Sequence, residues 1–121
     1  MSNLNKPTSA PAVEMTIFTR TFDFVSWLMP LSLKFPRSHR FVVTKRLQDA
    51  TLNFQEYLIE ANGQRGAIRQ ENLRCADIEL TKIRLYLRLC QRWQWLNSGQ
   101  YLHASQMVAE LGRLLGGWLR A

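Results

Sequence analysis

Apolar residues recur along most of this chain at steps of three and four, the spacing of one helix face, and no stretch alternates as a strand would. Leu73 to Trp93, reading LRCADIELTKIRLYLRLCQRW, organises the rest. Leu73, Ala76, Leu80, Ile83, Leu87 and Cys90 form one seam. Tyr101, Ala104, Val108, Leu111, Leu115 and Trp118 form a second, and Val43, Leu47, Ala50, Phe54, Tyr57 and Ala61 a third. A fourth segment is broadly apolar: Phe18, Phe22, Val25, Trp27, Leu28, Met29, Leu31 and Leu33. The pattern predicts helices over Thr16 to Lys34, His39 to Ala61, Arg65 to Gln94, and Ser98 to Leu119. Short connections between seams of similar length make neighbouring helices antiparallel. The expected fold is all-α: an up-down-up-down four-helix bundle over residues 15–121, preceded by a polar, disordered tail over residues 1–14.

Breakers set the boundaries. Pro30 removes a donor and crowds the carbonyl of Ser26, which predicts a kink in the first helix. Phe35-Pro36 ends that helix, because a residue before proline is pushed out of the helical region. Ser38 is the expected N-cap of the second helix. Asn62 or Gly63 is the expected left-handed C-cap at its end. Asn97 or Ser98 is expected to cap the fourth helix.

The outward faces are not cleanly polar. At about 100° per residue, Phe41, Leu52 and Ile59 lie opposite the seam of the second helix, and Ile78, Leu85 and Leu89 lie away from the seam of the third. Exposed apolar rows on two helices point to an oligomer interface, here between copies of the chain. On the fourth helix Ser105, Ala109, Gly112 and Gly116 share a side. Glycine inside a helix costs up to about 1 kcal/mol against alanine, so close approach of another backbone is expected there. Gly116 with Gly117 also fits a fraying helix end.

Charge then changes the picture. Sixteen Lys and Arg face nine Asp and Glu, for a net charge of +7. Twelve of the sixteen are Arg, whose planar fork matches phosphate, so the excess points to nucleic acid ahead of a membrane surface. Arg84, Arg88 and Arg92 stack at steps of four along the third helix, with Arg74 on the same side as Arg92. Like charges at this spacing cost helix stability, which polyanion binding or stacking against Tyr86, Trp93 or a partner offsets. Lys34, Arg37, His39, Arg40, Lys45 and Arg46 form a second cluster with no acid among them. Such contacts hold phosphate, depend on salt and read little sequence. Trp93 and Trp95 end the third helix, where core packing and base stacking compete as roles.

Other chemistry finds little footing. The histidines are His39 and His103, Cys90 sits on a seam, and Glu56 with Glu60 reads as a surface pair. No phosphate-cradling glycine loop or metal-ligand spacing occurs, so no catalytic residue, metal or cofactor is expected. On one helix, Cys75 and Cys90 lie roughly 22 Å apart, too far for a disulfide. That points to a reducing, cytoplasmic setting. The longest nearly uncharged run, Phe24 to Leu33, is far short of a membrane span. Met15 is an alternative start to Met1.

Several segments together resemble Avd, the accessory variability determinant of diversity-generating retroelements. They are Met29-Pro30-Leu31 leading to Phe35-Pro36-Arg37-Ser38-His39, then Lys82-Ile83-Arg84-Leu85-Tyr86-Leu87-Arg88-Leu89, then Leu111-Gly112-Arg113-Leu114-Leu115-Gly116-Gly117-Trp118-Leu119. The resemblance spans roughly Thr16 to Ala121 and extends to four-helix proteins encoded in ribosomal-RNA intervening sequences. It implies a bundle that assembles into a basic, barrel-like homopentamer. It implies binding of RNA and DNA with little sequence preference, and association with the element's reverse transcriptase in mutagenic cDNA synthesis and retrohoming. By position, Arg84 and Arg88 match the family's paired arginines and Arg37 its Pro-Arg. Arg113 lies in its Gly-Arg motif, where nucleic-acid contact and subunit cohesion both remain open. The chain ends at Ala121, where some members carry a basic tail, so no C-terminal arm is expected to contribute.

The rival readings are a structural bundle that binds only protein through its apolar rows, and a peripheral membrane protein. Arg84, closest to the seam, has a rival role of its own in packing or in pairing a carboxylate.

Overall fold

The computed structural model describes residues 12–121. Four α-helices follow one another: α1 Ala12–Ser32, α2 Lys45–Asn62, α3 Gly66–Arg92 and α4 Ser98–Arg120. No strand occurs among the described residues. Each helix packs on the next, and α4 returns to α1. With short turns after α2 and α3, that cyclic order is the expected four-helix bundle. Most of the expected N-terminal tail lies outside the described residues; its residues 12–14 open α1.

The seams of α3 and α4 converge as their spacing requires. Leu73, Ala76, Leu80, Ile83, Leu87 and Cys90 are buried against Leu47, Ala50, Phe54 and Leu58 of α2 and against Ala104, Val108, Leu111, Leu115 and Trp118 of α4. Each large aliphatic side chain taken from water in this way contributes about 1.5–3 kcal/mol. Burial pushes the Cys90 thiol up to about 12, so it stays protonated through the neutral range and acts as a small apolar filler.

α1 departs from its expected face. Ile17, Thr21, Phe24, Leu28 and Ser32 are its buried positions, whereas Phe22 and Leu33 are exposed. The seam contains two hydroxyls because each is satisfied locally. Thr21 Oγ1 donates to the Ile17 carbonyl at 2.7 Å, and Ser32 Oγ donates to Met29 O at 2.7 Å while accepting from Gln48 Nε2 at 2.8 Å. A side chain that back-bonds its own helix can enter a core without an orphaned polar group. The helix passes Pro30 and ends at Ser32, so the proline sits in its last turn.

The first connection is more irregular than expected. A 3₁₀ turn over Arg37–His39 leads into a π-helical stretch over Arg40–Thr44 before α2 begins. Ser38 therefore lies inside the 3₁₀ turn and caps nothing; Thr44 precedes α2 and makes no side-chain cap bond. Consecutive β-branched residues, Val42-Val43-Thr44, crowd a regular α-helical turn, which accounts for the altered winding.

The left-handed residues also fall elsewhere. Gly63 is right-handed, at φ −86°. Its N–H donates to the carbonyls of Ile59 and Glu60, and Arg69 Nε reaches back to the Ala61 carbonyl at 3.0 Å. With those acceptors filled, no left-handed cap is needed. Positive φ occurs at Gly66 and at Gln94, where φ is 64°. Gln94 closes a Schellman motif: Trp95 N–H donates to Cys90 O at 2.8 Å and Gln94 N–H to Gln91 O at 3.0 Å. Asn97 then starts α4 with a full capping box, exchanging bonds of 2.8 and 2.9 Å with Gln100.

Candidate nucleic-acid interface

The arginine stripe of α3 faces the side of α4 that carries the small residues. Arg84, Arg88 and Arg113 line a groove of about 460 Å³ whose other walls include Tyr101, Ser105, Ala109 and Gly112. Gly112 leaves room for the end of the Arg84 side chain. A Cβ built there would stand 2.5 Å from an Arg84 guanidinium nitrogen. Within the bundle, the close approach along this row is made by an arginine side chain rather than by a backbone. Gly116 repeats the arrangement more loosely, with Arg120 Nη1 at 3.3 Å from such a Cβ.

Two smaller hollows continue the groove along the same side. One, of about 280 Å³, is lined by Leu85, Arg88, Leu89, Arg92 and Tyr101. The next, of about 450 Å³, is lined by Arg92 with Gln91, Gln94, Leu96, Asn97 and Ser98. Arg88 and Arg92 are each shared between neighbouring hollows. Over Arg84 to Arg92 the helix rises by roughly 12 Å, the reach of a few phosphates.

Electrostatics separates the basic residues into two kinds. Among the described residues, Arg84, Arg88 and Arg92 pair with no carboxylate within 4.0 Å. Arg74 pairs with Glu71 at 3.3 Å, and Lys45 with Asp49 at 2.7 Å. Lys45 belongs to the cluster read as having no acid among its members, and Asp49, one helical turn away, partners it. Arg113 pairs with Glu110 at 2.6 Å, and Arg20 approaches the same carboxylate at 3.8 Å. Among the described residues, the one cation–π contact lies away from the stripe, with Arg69 over Trp118 at 5.7 Å. Among the described residues, no arginine of the stripe stacks on Tyr86 or Trp93, while Arg84 packs across Gly112.

Arg37, Arg40, Lys45 and Arg46 are all exposed on the first connection and the start of α2. They do not line the groove, but the connection is tied to the far end of α3. The His39 ring stacks on Trp93 at 5.9 Å and 24°, and approaches Trp95 at 5.0 Å. Trp93 and Trp95 lie 5.2 Å apart, and Phe35 packs on Trp95 at 5.5 Å. Trp95 is half-buried, whereas Trp93 keeps 44% of its surface exposed. Arg92 immediately precedes Trp93, the residue on which His39 stacks.

The apolar rows are exposed except at one position. Phe41 is 80% exposed, Leu52, Ile59, Ile78 and Leu85 are exposed, and Leu89 is half-buried. Leu85 and Leu89 border the arginine hollow, so the row and the stripe share an edge. Phe22 of α1 and Leu102 of α4 are exposed as well, so the two rows are not the whole apolar surface. Among the described residues, no group of three His, Cys, Asp or Glu side chains is placed to hold a metal ion, and no helix is long and apolar enough to cross a membrane.

Sequence reading missed how Tyr101 and Arg113 join Arg84 and Arg88. Tyr101 was placed on a seam and Arg113 had two roles open. The available signal was the small row Ser105, Ala109 and Gly112, which marks the side of α4 where a long side chain from α3 can lie.

No curated protein matches the chain. Among solved structures it is similar to a protein of unknown function from the S23 ribosomal protein family of Bacteroides thetaiotaomicron VPI-5482. The TM-score is 0.82 at 17% identity, covering 90% of this chain and 99% of that one. At that identity the likeness concerns the fold. The sequence model of the bAvd-like proteins matches residues 15–121, which include both the stripe of α3 and the glycine row of α4, and the chain belongs to the bAvd-like family.

Proposed function

We propose that this chain is a non-catalytic accessory protein that binds RNA and DNA through phosphate and works with a retroelement reverse transcriptase in mutagenic cDNA synthesis and retrohoming. The observation that carries the nucleic-acid part is the run of Arg84, Arg88 and Arg92 along adjoining hollows, without a carboxylate partner among the described residues. Three exposed guanidiniums at one-turn spacing repel one another, and a line of phosphates relieves that repulsion. Family membership supports the accessory role, and the polymerase partner is what the resemblance implies. The protein would act in the cytoplasm, where its nucleic-acid partners are made.

The oligomeric part rests on the shared edge. Leu85 and Leu89 lie in the same hollow as Arg88 and Arg92, so a second copy seated on that row brings its own arginines near the first set. A barrel-like homopentamer, as the resemblance implies, repeats the stripe around one rim and turns weak contacts into tight binding. Light scattering checks this: a species several times the monomer mass is expected, and Leu85→Glu is expected to dissociate it. A wild-type monomer at micromolar concentration contradicts the assembly.

Titration of single-stranded RNA against salt tests the binding. Affinity is expected to fall steeply with salt, and Arg84→Ala with Arg88→Ala to weaken it at every salt concentration. Oligomers with no affinity for RNA would favour the protein-only reading instead.

A further inference from the structure

The bundle end beside α3 holds an aromatic group that phosphate binding does not use. Trp93 is 44% exposed although it belongs to a cluster with His39 and Trp95. An indole needed only to close the bundle would be expected to sit inside, as Trp118 does at 2% exposure. Here the Schellman turn at Gln94 fixes the backbone immediately after Trp93, and Trp95 and His39 brace the ring.

Arginines flank Trp93 and its partner His39 along the chain. Arg92 precedes Trp93 and closes the line of hollows that begins at Arg84. Arg40 adjoins His39, Arg37 lies two residues before it, and neither pairs with a carboxylate among the described residues. Arg92 also lines a hollow with the amide side chains of Gln91, Gln94 and Asn97, groups able to hydrogen-bond a base edge. An exposed indole at the end of an arginine track is the arrangement by which proteins hold unpaired bases: cations follow the backbone and an aromatic face takes a base.

We propose that Trp93 is a stacking platform for an unpaired base of a single strand whose phosphates run along Arg92, Arg88 and Arg84. This rests on the nucleic-acid reading above and adds that the protein distinguishes a strand carrying bases from a bare phosphate chain. Double-stranded nucleic acid, whose bases are already stacked, gains nothing from Trp93.

The test compares a short fluorescein-labelled oligouridylate with an abasic oligonucleotide of equal length and phosphate count, by fluorescence anisotropy at low salt. The wild-type protein is expected to bind the oligouridylate about tenfold more tightly, the order of one base–aromatic stack. Trp93→Ala is expected to abolish that preference while leaving abasic binding unchanged. Trp93→Leu, which keeps apolar bulk and removes the π face, is expected to do the same, and separates stacking from damage to the bundle end. Equal wild-type affinity for the two strands, or a preference that survives in both variants, overturns the stacking proposal and leaves the phosphate reading standing. Failure to bind either strand overturns both.

Discussion

The groove between α3 and α4 and the bundle end around His39 and Trp93 both present arginine, but they hold it in different ways. In the groove the backbone is regular, and position follows from periodicity: Arg84, Arg88 and Arg92 are one turn apart, and Arg84 lies across Gly112. At the bundle end the backbone is irregular, with a 3₁₀ turn, a π-helical stretch and a left-handed Gln94. There position follows from side-chain contact, since the His39 stack ties the segment that carries Arg37 and Arg40 to the end of α3. A repeated helical step can place a row of charges with little help from other parts of the chain. A cluster built from two connections needs tertiary contacts that no local pattern encodes.

That contrast can be sharpened by relieving the unusual backbone on one side and filling the open space on the other. Gln94→Gly removes the cost of a side chain at positive φ and is expected to raise stability by about 1 kcal/mol, read as a higher urea midpoint with unchanged slope. A lower midpoint would mean that the Gln94 side chain makes contacts outweighing its backbone strain. Gly112→Ala has a smaller expected effect on stability. Helix propensity gains up to about 1 kcal/mol, and displacement of the flexible end of Arg84 offsets part of it. The same substitution is expected to weaken RNA binding severalfold, because Arg84 is pushed off its seat. If binding stays unchanged, the resting place of Arg84 has no bearing on the interface.

Much of this molecule was legible in its sequence, and the limits have physical causes. Most buried positions of α3 and α4 were readable because apolar residues mark them at steps of three and four, although Glu79 and Leu114 are buried outside those seams. α1 was misread at Phe22 and Leu33 because Thr21 and Ser32 occupy core positions, which a hydrophobic pattern excludes and a back-bonded hydroxyl allows. Arg84, Arg88 and Arg92 were visible as a stripe, but Arg113 was not assigned to it, since only the packing of α4 on α3 brings them together. Lys45 stood in a cluster with no acid among its members, and its partner Asp49 lies just outside that cluster, one turn along α2. The tie between His39 and Trp93 joins residues 54 positions apart in the chain, and nothing local announces it.

The most direct measurement is the salt dependence of single-stranded RNA affinity for the wild type and for Arg84→Ala with Arg88→Ala. For single strands each phosphate contact contributes about 0.7 to the slope of log affinity against log salt. The double variant is expected to lose about 1.4 from that slope for each chain that contacts the RNA, with helicity by circular dichroism unchanged. A slope that is the same in both proteins would contradict the assignment of the α3 stripe as the phosphate-binding surface.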